Sequence, residues 1–366
     1  MRRITEITKY ILLITLAASF MRCAGHEEEI EEAIDSNATR GLQDTTRTHC
    51  NSVYHWKTTF DLNEEEIEFL ERNDVHRLYI RMFDVDLDSS PINDHVGIVP
   101  VGTTKFKCAI PDSTEVVPTV FITTKAIKFI GEDSDGLKFL AQKIYTRIQN
   151  MSSYNELGII HEIQLDCDWT TSTQEAFYQL CREIKTLAEK DTVLVSATIR
   201  LHQLKLDPPP VDRGVLMVYN TGAIRNPGTK NSILDYEDVS AYLGKKPVDF
   251  EMPLDFAYPT FGWGVLFRNG IYQGILHKAV YDDTKFYVRN GDGTYKVRKN
   301  HFLEGHSLWE GDVIRLEYPT PDEVTKVAEF VSKAFSNNPH STILYHLDAQ
   351  NLSKYNDDEI AFIFSH

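Results

Sequence analysis

From Val53 onward the chain alternates, with short runs rich in Val, Ile, Leu and aromatic residues separated by amphipathic stretches of helical period. Eight such runs can be read, at 53–58, 77–83, 116–122, 159–168, 193–201, 214–220, 248–256 and 342–347. Near-continuous apolar runs joined by helices are what a parallel sheet covered on both faces requires. Eight in series predict an α/β chain folded as a (β/α)8 TIM barrel over 51–366, and 366 residues is an ordinary length for a chain carrying one such domain.

The intervals between the runs fit this reading. Asn63 can cap a helix over 64–71, and Asp135 precedes a periodic run through Ile148. Residues 173–189 gather Phe177, Leu180, Cys181, Ile184 and Leu187 on one face, and 322–335 reads as a last helix. Two intervals exceed a minimal barrel. Residues 84–115 read as a long loop after strand two. Residues 257–320 carry Arg268-Asn269-Gly270, Asn290-Gly291-Asp292-Gly293 and the alternating Lys285-Phe286-Tyr287-Val288-Arg289, which are turn and strand signals. They predict a β-rich insertion between strands seven and eight, with a separate small domain as the alternative.

The N-terminus reads differently. Arg2, Arg3 and Lys9 precede an apolar run from Ile11 to Met21 that is too short to span a bilayer, so 1–22 is expected to be a signal peptide. Residues 23–50 are polar and Glu-rich, an expected flexible tether. Cys23, directly after the apolar run and before an acidic stretch, resembles the acylated Cys of a bacterial lipoprotein. Phe20, Met21 and Arg22 depart from the small residues usual there, so plain cleavage after Ser19 or Gly25 competes. The expected location is therefore outside the cytoplasm, in the periplasm or lipid-anchored at the outer membrane, with the membrane met only through that anchor. The other four cysteines permit disulfides without requiring them, and Cys167 reads as a small buried hydrophobe. No CxxC or HExxH spacing supports a metal, and no cofactor is expected. The net charge of −16 repels phosphate backbones, so nucleic acid is excluded and a neutral or cationic ligand fits better. A monomer is expected.

Barrels of this kind react at the C-terminal ends of their strands. That rule selects Trp56, Arg81, Asp84, Asp166, Asp168, Trp169, Arg200, Tyr219, Asn220, Asp255 and Tyr258, with His202 and His346 more simply structural. Acids, aromatics and a few cations on one rim suit a carbohydrate, whose faces stack on rings while carboxylates meet its hydroxyls. In Leu165-Asp166-Cys167-Asp168-Trp169 strand alternation aims both aspartates to one side, where mutual repulsion should raise one pKa. The bland alternative is that they pair with Arg81 or Arg200. Phe261-Gly262-Trp263-Gly264 reads as a turn whose Trp is either a sugar platform or a packing residue.

Asp166-Cys167-Asp168 resembles the fourth-strand Asp-x-x-Asp-x-Asp-x-Glu signature of family 18 glycoside hydrolases, the chitinase-like barrels, and Met217-Val218-Tyr219-Asn220 is similar to their Met-x-Tyr-Asp. The resemblance implies a glycoside hydrolase-like barrel that acts on or binds a carbohydrate, with Asp166, Asp168 and Tyr219 in the catalytic positions. It also implies that Asp168 would orient a substrate acetamido group. Two positions depart: the family's first Asp falls at Ile163, and its catalytic Glu falls at Thr170, which cannot serve as a general acid near neutral pH. Two readings remain open. One is a divergent hydrolase drawing its acid from Asp84, Asp255 or Glu317; the other is a non-catalytic glycan-binding or scaffolding envelope lipoprotein.

Overall fold

The computed structural model describes residues 50–88, 97–244, 248–277, 281–335 and 340–366. The expected signal peptide, nearly all of the tether, and Cys23 lie outside them.

Eight parallel strands form the barrel: Asn51–His55, Val75–Leu87, Glu115–Ile122, Glu162–Asp166, Leu194–Arg200, Arg213–Met217, Leu254–Pro259 and Thr342–Tyr345. Each pairs with its successor, and the first pairs with both the second and the eighth, which closes the sheet. All eight runs read from the sequence are present as barrel strands. The seventh is displaced. The run at 248–256 contains Pro253, whose ring nitrogen cannot donate to a ladder, and the strand begins just after it.

Alternation sets the two faces of each strand. On the fourth, Glu162, Gln164 and Asp166 share one side, and Gln164 accepts from the Tyr54 hydroxyl at 2.6 Å and donates to Ser196 Oγ at 3.3 Å across the barrel interior. Ile163 and Leu165 take the other side, toward the covering helices, and are buried.

The helices follow local signals. Glu64–Arg72 starts with a full Asn63–Glu66 capping box, worth about 1 kcal/mol. Ser134–Tyr154 is capped by Asp133 rather than beginning after Asp135, because the Asp133 side chain reaches the Gly136 N–H. Gln174–Ala188 buries Phe177, Leu180, Cys181 and Ile184 as its stripe requires, and Pro321–Ala334 opens with Thr320 and an N-terminal proline. The expected long loop at 84–115 is partly strand. Ile98–Val101 pairs antiparallel with an extension of the second barrel strand, and Lys105–Phe106 pairs with Thr59–Phe60. Among the described residues of this interval there is no helix.

The insertion between strands seven and eight is β-rich as expected, and narrower than 257–320. Trp263–Arg268, Ile271–Leu276, Tyr287–Arg289, Tyr295–Val297 and Val313–Glu317 make a five-stranded antiparallel sheet, with a hairpin of His301–Leu303 and His306–Leu308 beside it. Asn269 and Gly270 both take positive φ (51° and 76°) in the tight turn that the Asn-Gly pair predicts. The sheet has its own small core, which includes Leu266, Leu276, Tyr281, Val297 and Ile314. The cysteines at 50, 108, 167 and 181 are all free, and Cys167 is fully buried.

Candidate functional site

A cup of about 220 Å³ opens at the C-terminal ends of the barrel strands. It is lined by Trp56, Arg81, Asp84, Phe121, Asp166, Arg200, Met217, Tyr219, Asn220 and Tyr345. Seven of these were singled out in the sequence by their position at strand ends. Phe121, Met217 and Tyr345 were not, because each sits within an apolar run and looks like core. Strand pairing is the signal that places one of them: Phe121 stands beside Asp166 in the ladder, so it shares its side.

Asp166 and Asp168 are delivered together and bound by one guanidinium. Arg200 donates from Nη2 to Asp166 Oδ1 at 3.1 Å and from Nε to Asp168 Oδ1 at 2.5 Å. Thr198 donates a further bond to the same Asp166 oxygen at 2.6 Å. Asp166 is buried and Asp168 is 56% exposed along its side chain, so they meet the solvent differently. Burial raises the Asp166 carboxyl above the ordinary aspartate range; Arg200 opposes that and Asp168 reinforces it. Burial opposes the charge on Arg200, but Asp166, Tyr219 and Asp168 hold its guanidinium above its usual value.

On the other side of the cup Arg81 binds both oxygens of Asp84, with Nε to Oδ1 at 2.7 Å and Nη2 to Oδ2, a bidentate fork. Gly102 backs this pair at φ 57°, where a Cβ would lie 2.9 Å from Arg81 Nη2. The walls are aromatic. Tyr345 lies 5.1 Å from Tyr219 and 5.8 Å from Trp56, ring to ring, and Phe261 stands behind Tyr219 and Tyr345. Asn220 adopts φ 57°, a left-handed conformation Asn tolerates better than most residues, as the chain turns away from strand six.

Asp168, held by Arg200, is not part of the cup lining, and three further candidates lie elsewhere. Trp169 is 1% exposed and packs against Phe177 and Tyr178 of the covering helix. The alternation that aims Asp166 and Asp168 inward necessarily turns Trp169 outward. Asp255 sits at the start of strand seven, at the opposite end of the barrel, where it is fully buried, accepts the Ser341 N–H at 2.7 Å and faces Arg213 at 3.5 Å. Tyr258 follows Ala257, which pairs with the cup residue Met217; Tyr258 therefore points away from the interior and is buried.

The reserve acids are engaged as well. Glu317 is buried among Arg315, Trp263 and Ser232, which all donate to it, so Trp263 is a structural residue rather than a platform. His346 is half-buried, its Nδ1 enclosed without a hydrogen-bond partner, and His202 lies outside the cup lining. Thr170 is exposed and shares a hydrogen bond with Ser172. Among the described residues no cluster of three His, Cys, Asp or Glu side chains is disposed to hold a metal.

No family model and no curated protein matches the chain. Solved structures do. The chain is similar to the Bacillus cereus spore cortex-lytic enzyme SleL at 15% identity, over 87% of this chain and 75% of that one, with a TM-score of 0.48. It is similar to a chitinase from Chromobacterium violaceum (10% identity, 86% and 98% covered, TM-score 0.47) and to the class V chitinase of Nicotiana tobaccum (13%, 86% and 98%, 0.44). At such identities the likeness concerns fold, and what the cup does is read from its own residues.

Proposed function

We propose that the barrel recognises a glycan by admitting one sugar ring into the cup at its C-terminal face. The observation that carries this reading is the cup itself: about 220 Å³, walled by Trp56, Tyr219 and Tyr345, with its polar groups arranged as the pairs Arg81–Asp84 and Arg200–Asp166. Aromatic faces suit the C–H face of a pyranose, and the paired carboxylates and guanidinia offer acceptors and donors to its hydroxyls. Recognition is favoured over hydrolysis by the family 18 route because Thr170 occupies the acid position and each cup carboxylate is held by an arginine. A glycan array on the purified protein tests this. Binding that survives unchanged in both Asp166→Asn and Tyr219→Phe would overturn it.

A second reading rests on a specific feature. Both hydrogen bonds to Asp166 fall on Oδ1, and burial favours its protonated form, so Oδ2 is placed to donate a proton. Asp166 would then act as general acid of a divergent hydrolase, with Asp168 beside it. Release of sugar from a panel of oligosaccharides by the wild type, lost in Asp166→Asn, would establish this reading; absence of turnover leaves recognition alone.

Export through 1–22 and lipid attachment at Cys23 belong to the same proposal, which puts the cup at the cell envelope as a monomeric carbohydrate-facing lipoprotein. A scaffolding envelope protein is the alternative. Intact mass of the mature protein checks the anchor: a diacyl- or triacyl-cysteine at position 23 supports it, and an N-terminus at Phe20 or His26 removes it.

A further inference from the structure

A (β/α)8 barrel covers each strand with a helix. Between the second and third strands the described residues supply only short strands. Among the described residues, the face there is a groove of about 910 Å³ between Ser134–Tyr154 and the outer side of the second strand and its antiparallel partner. Phe83, Val85 and Ile98 form one wall, while Phe139, Ile144 and Met151 come from the helix. The rim is aromatic: Phe129, Phe139 and Tyr154 are 53%, 65% and 88% exposed. A contiguous exposed apolar trough of this kind marks a binding surface.

Its charges indicate the ligand. Lys143 and Arg147, one turn apart on the helix, both line the groove, and neither has a carboxylate partner among the described residues. Arg147 donates from Nη2 to Thr103 Oγ1 at 2.9 Å and lies over the Phe83 ring at 5.0 Å, while its Nε is buried with no acceptor. Lys143 lies 5.0 Å from the Phe139 ring centre. The one acid in the lining, Asp133, is occupied in capping the helix. The stretch 124–154 holds five basic residues (Lys125, Lys128, Lys138, Lys143, Arg147) and three acidic ones, on a chain of net charge −16. An apolar trough with two uncompensated cations complements a molecule with a long hydrocarbon chain and an anionic head. A flat bilayer would meet the rim aromatics and leave the trough unfilled.

We propose that this groove binds a single long-chain carboxylate, its hydrocarbon chain lying along the trough beside Phe139, Ile144 and Met151 and its head group on Lys143 and Arg147. The site is separate from the cup and does not depend on what the cup binds.

Titration of the purified protein with monomeric oleate, followed by calorimetry, tests the proposal. Saturable uptake of one oleate per chain is expected, with oleyl alcohol binding about tenfold or more weaker because it lacks the charge. The double variant Lys143→Gln/Arg147→Gln should lose about tenfold or more for oleate and leave the alcohol unchanged. Met151→Trp, which fills the trough, should block both, with thermal unfolding and circular dichroism confirming that each variant is folded. Absence of saturable oleate binding overturns the proposal, as does equal binding of acid and alcohol. Attachment to phosphatidylglycerol vesicles without uptake of monomeric oleate would make the face a membrane surface instead. Self-association abolished by Phe139→Asp, with no oleate binding, would make it a contact between copies. Both outcomes reject the fatty-acid site.

Discussion

The two ends of the barrel carry the same chemical unit, an aspartate beside an arginine from a neighbouring strand, in opposite surroundings. At the C-terminal end Arg200 joins Asp166 of the adjacent strand and then Asp168, and the group lines or borders an open cup. At the N-terminal end Arg213 and Asp255 face each other at 3.5 Å with side chains 5% and 0% exposed. Arg213 also keeps two nitrogens without acceptors. The difference is solvent access. A sealed pair has exchanged hydration for one partner and can only hold the fold, whereas a pair at a cup can trade its partner for a ligand.

This comparison can be broken most sharply at the sealed end. Arg213→Met leaves Asp255 buried without the arginine it faces, and should cost about 3–5 kcal/mol of stability by urea unfolding, with glycan binding intact at temperatures where the variant stays folded. A loss no larger than that of Asp166→Asn would erase the distinction. Next in size is the effect at the cup: Asp166→Asn should weaken glycan binding by about 2 kcal/mol, roughly thirtyfold, measured by titration with an array hit. Arg81→Lys keeps the charge on the Asp84 side and loses the fork, and should cost binding about 1 kcal/mol, read in the same titration.

Acid sharpens the contrast between buried groups further. His55 is pushed down to about 3, chiefly by burial with Lys57 and His346 adding to it, and His346 is lowered by burial too. Between about 3 and 6.5 the folded chain therefore binds fewer protons than the unfolded one, so stability is full above 6.5 and falls as pH drops, by up to ~1.4 kcal/mol per pH unit for each group. Asp166, whose carboxyl is raised, has the opposite sign: its contribution is present in acid and lost as pH rises through its folded value. Urea unfolding at pH 5 and pH 7 should show the histidine slope, and His55→Leu should flatten it. Smallest of all is Asp168→Asn: the side chain is 56% exposed, and its removal should change stability by under about 1 kcal/mol.

Strand identity was legible because near-continuous apolar, β-branched runs survive in any single sequence, and all eight barrel strands overlap such runs. Strand ends were less legible. The error that put Asp255 at the rim came from reading through Pro253, and it moved that residue from one end of the barrel to the other. Trp169 and Tyr258 failed for a different reason: being near a strand end says nothing about which side a residue faces. Alternation from Asp168 would have turned Trp169 outward, and the Ala257–Met217 pairing turns Tyr258 outward once register is known. Phe121 and Tyr345 belong to the cup although their runs look like core, since barrel interiors and helix-covered faces both favour large apolar side chains. Register between strands, a non-local property, is what separates the two.

The antiparallel insertion enters and leaves the barrel at one point. Trp263 and Glu317 are cross-strand partners, so the first and last residues of the module are neighbours, and its small core is made of its own side chains. A segment with adjoining ends and an interior of its own is a portable cassette: it can be lengthened, exchanged or lost in related chains while the eight-stranded ring stays closed. Changes confined to this cassette are therefore expected to leave the ring of strands, and the cup lining drawn from it, in place.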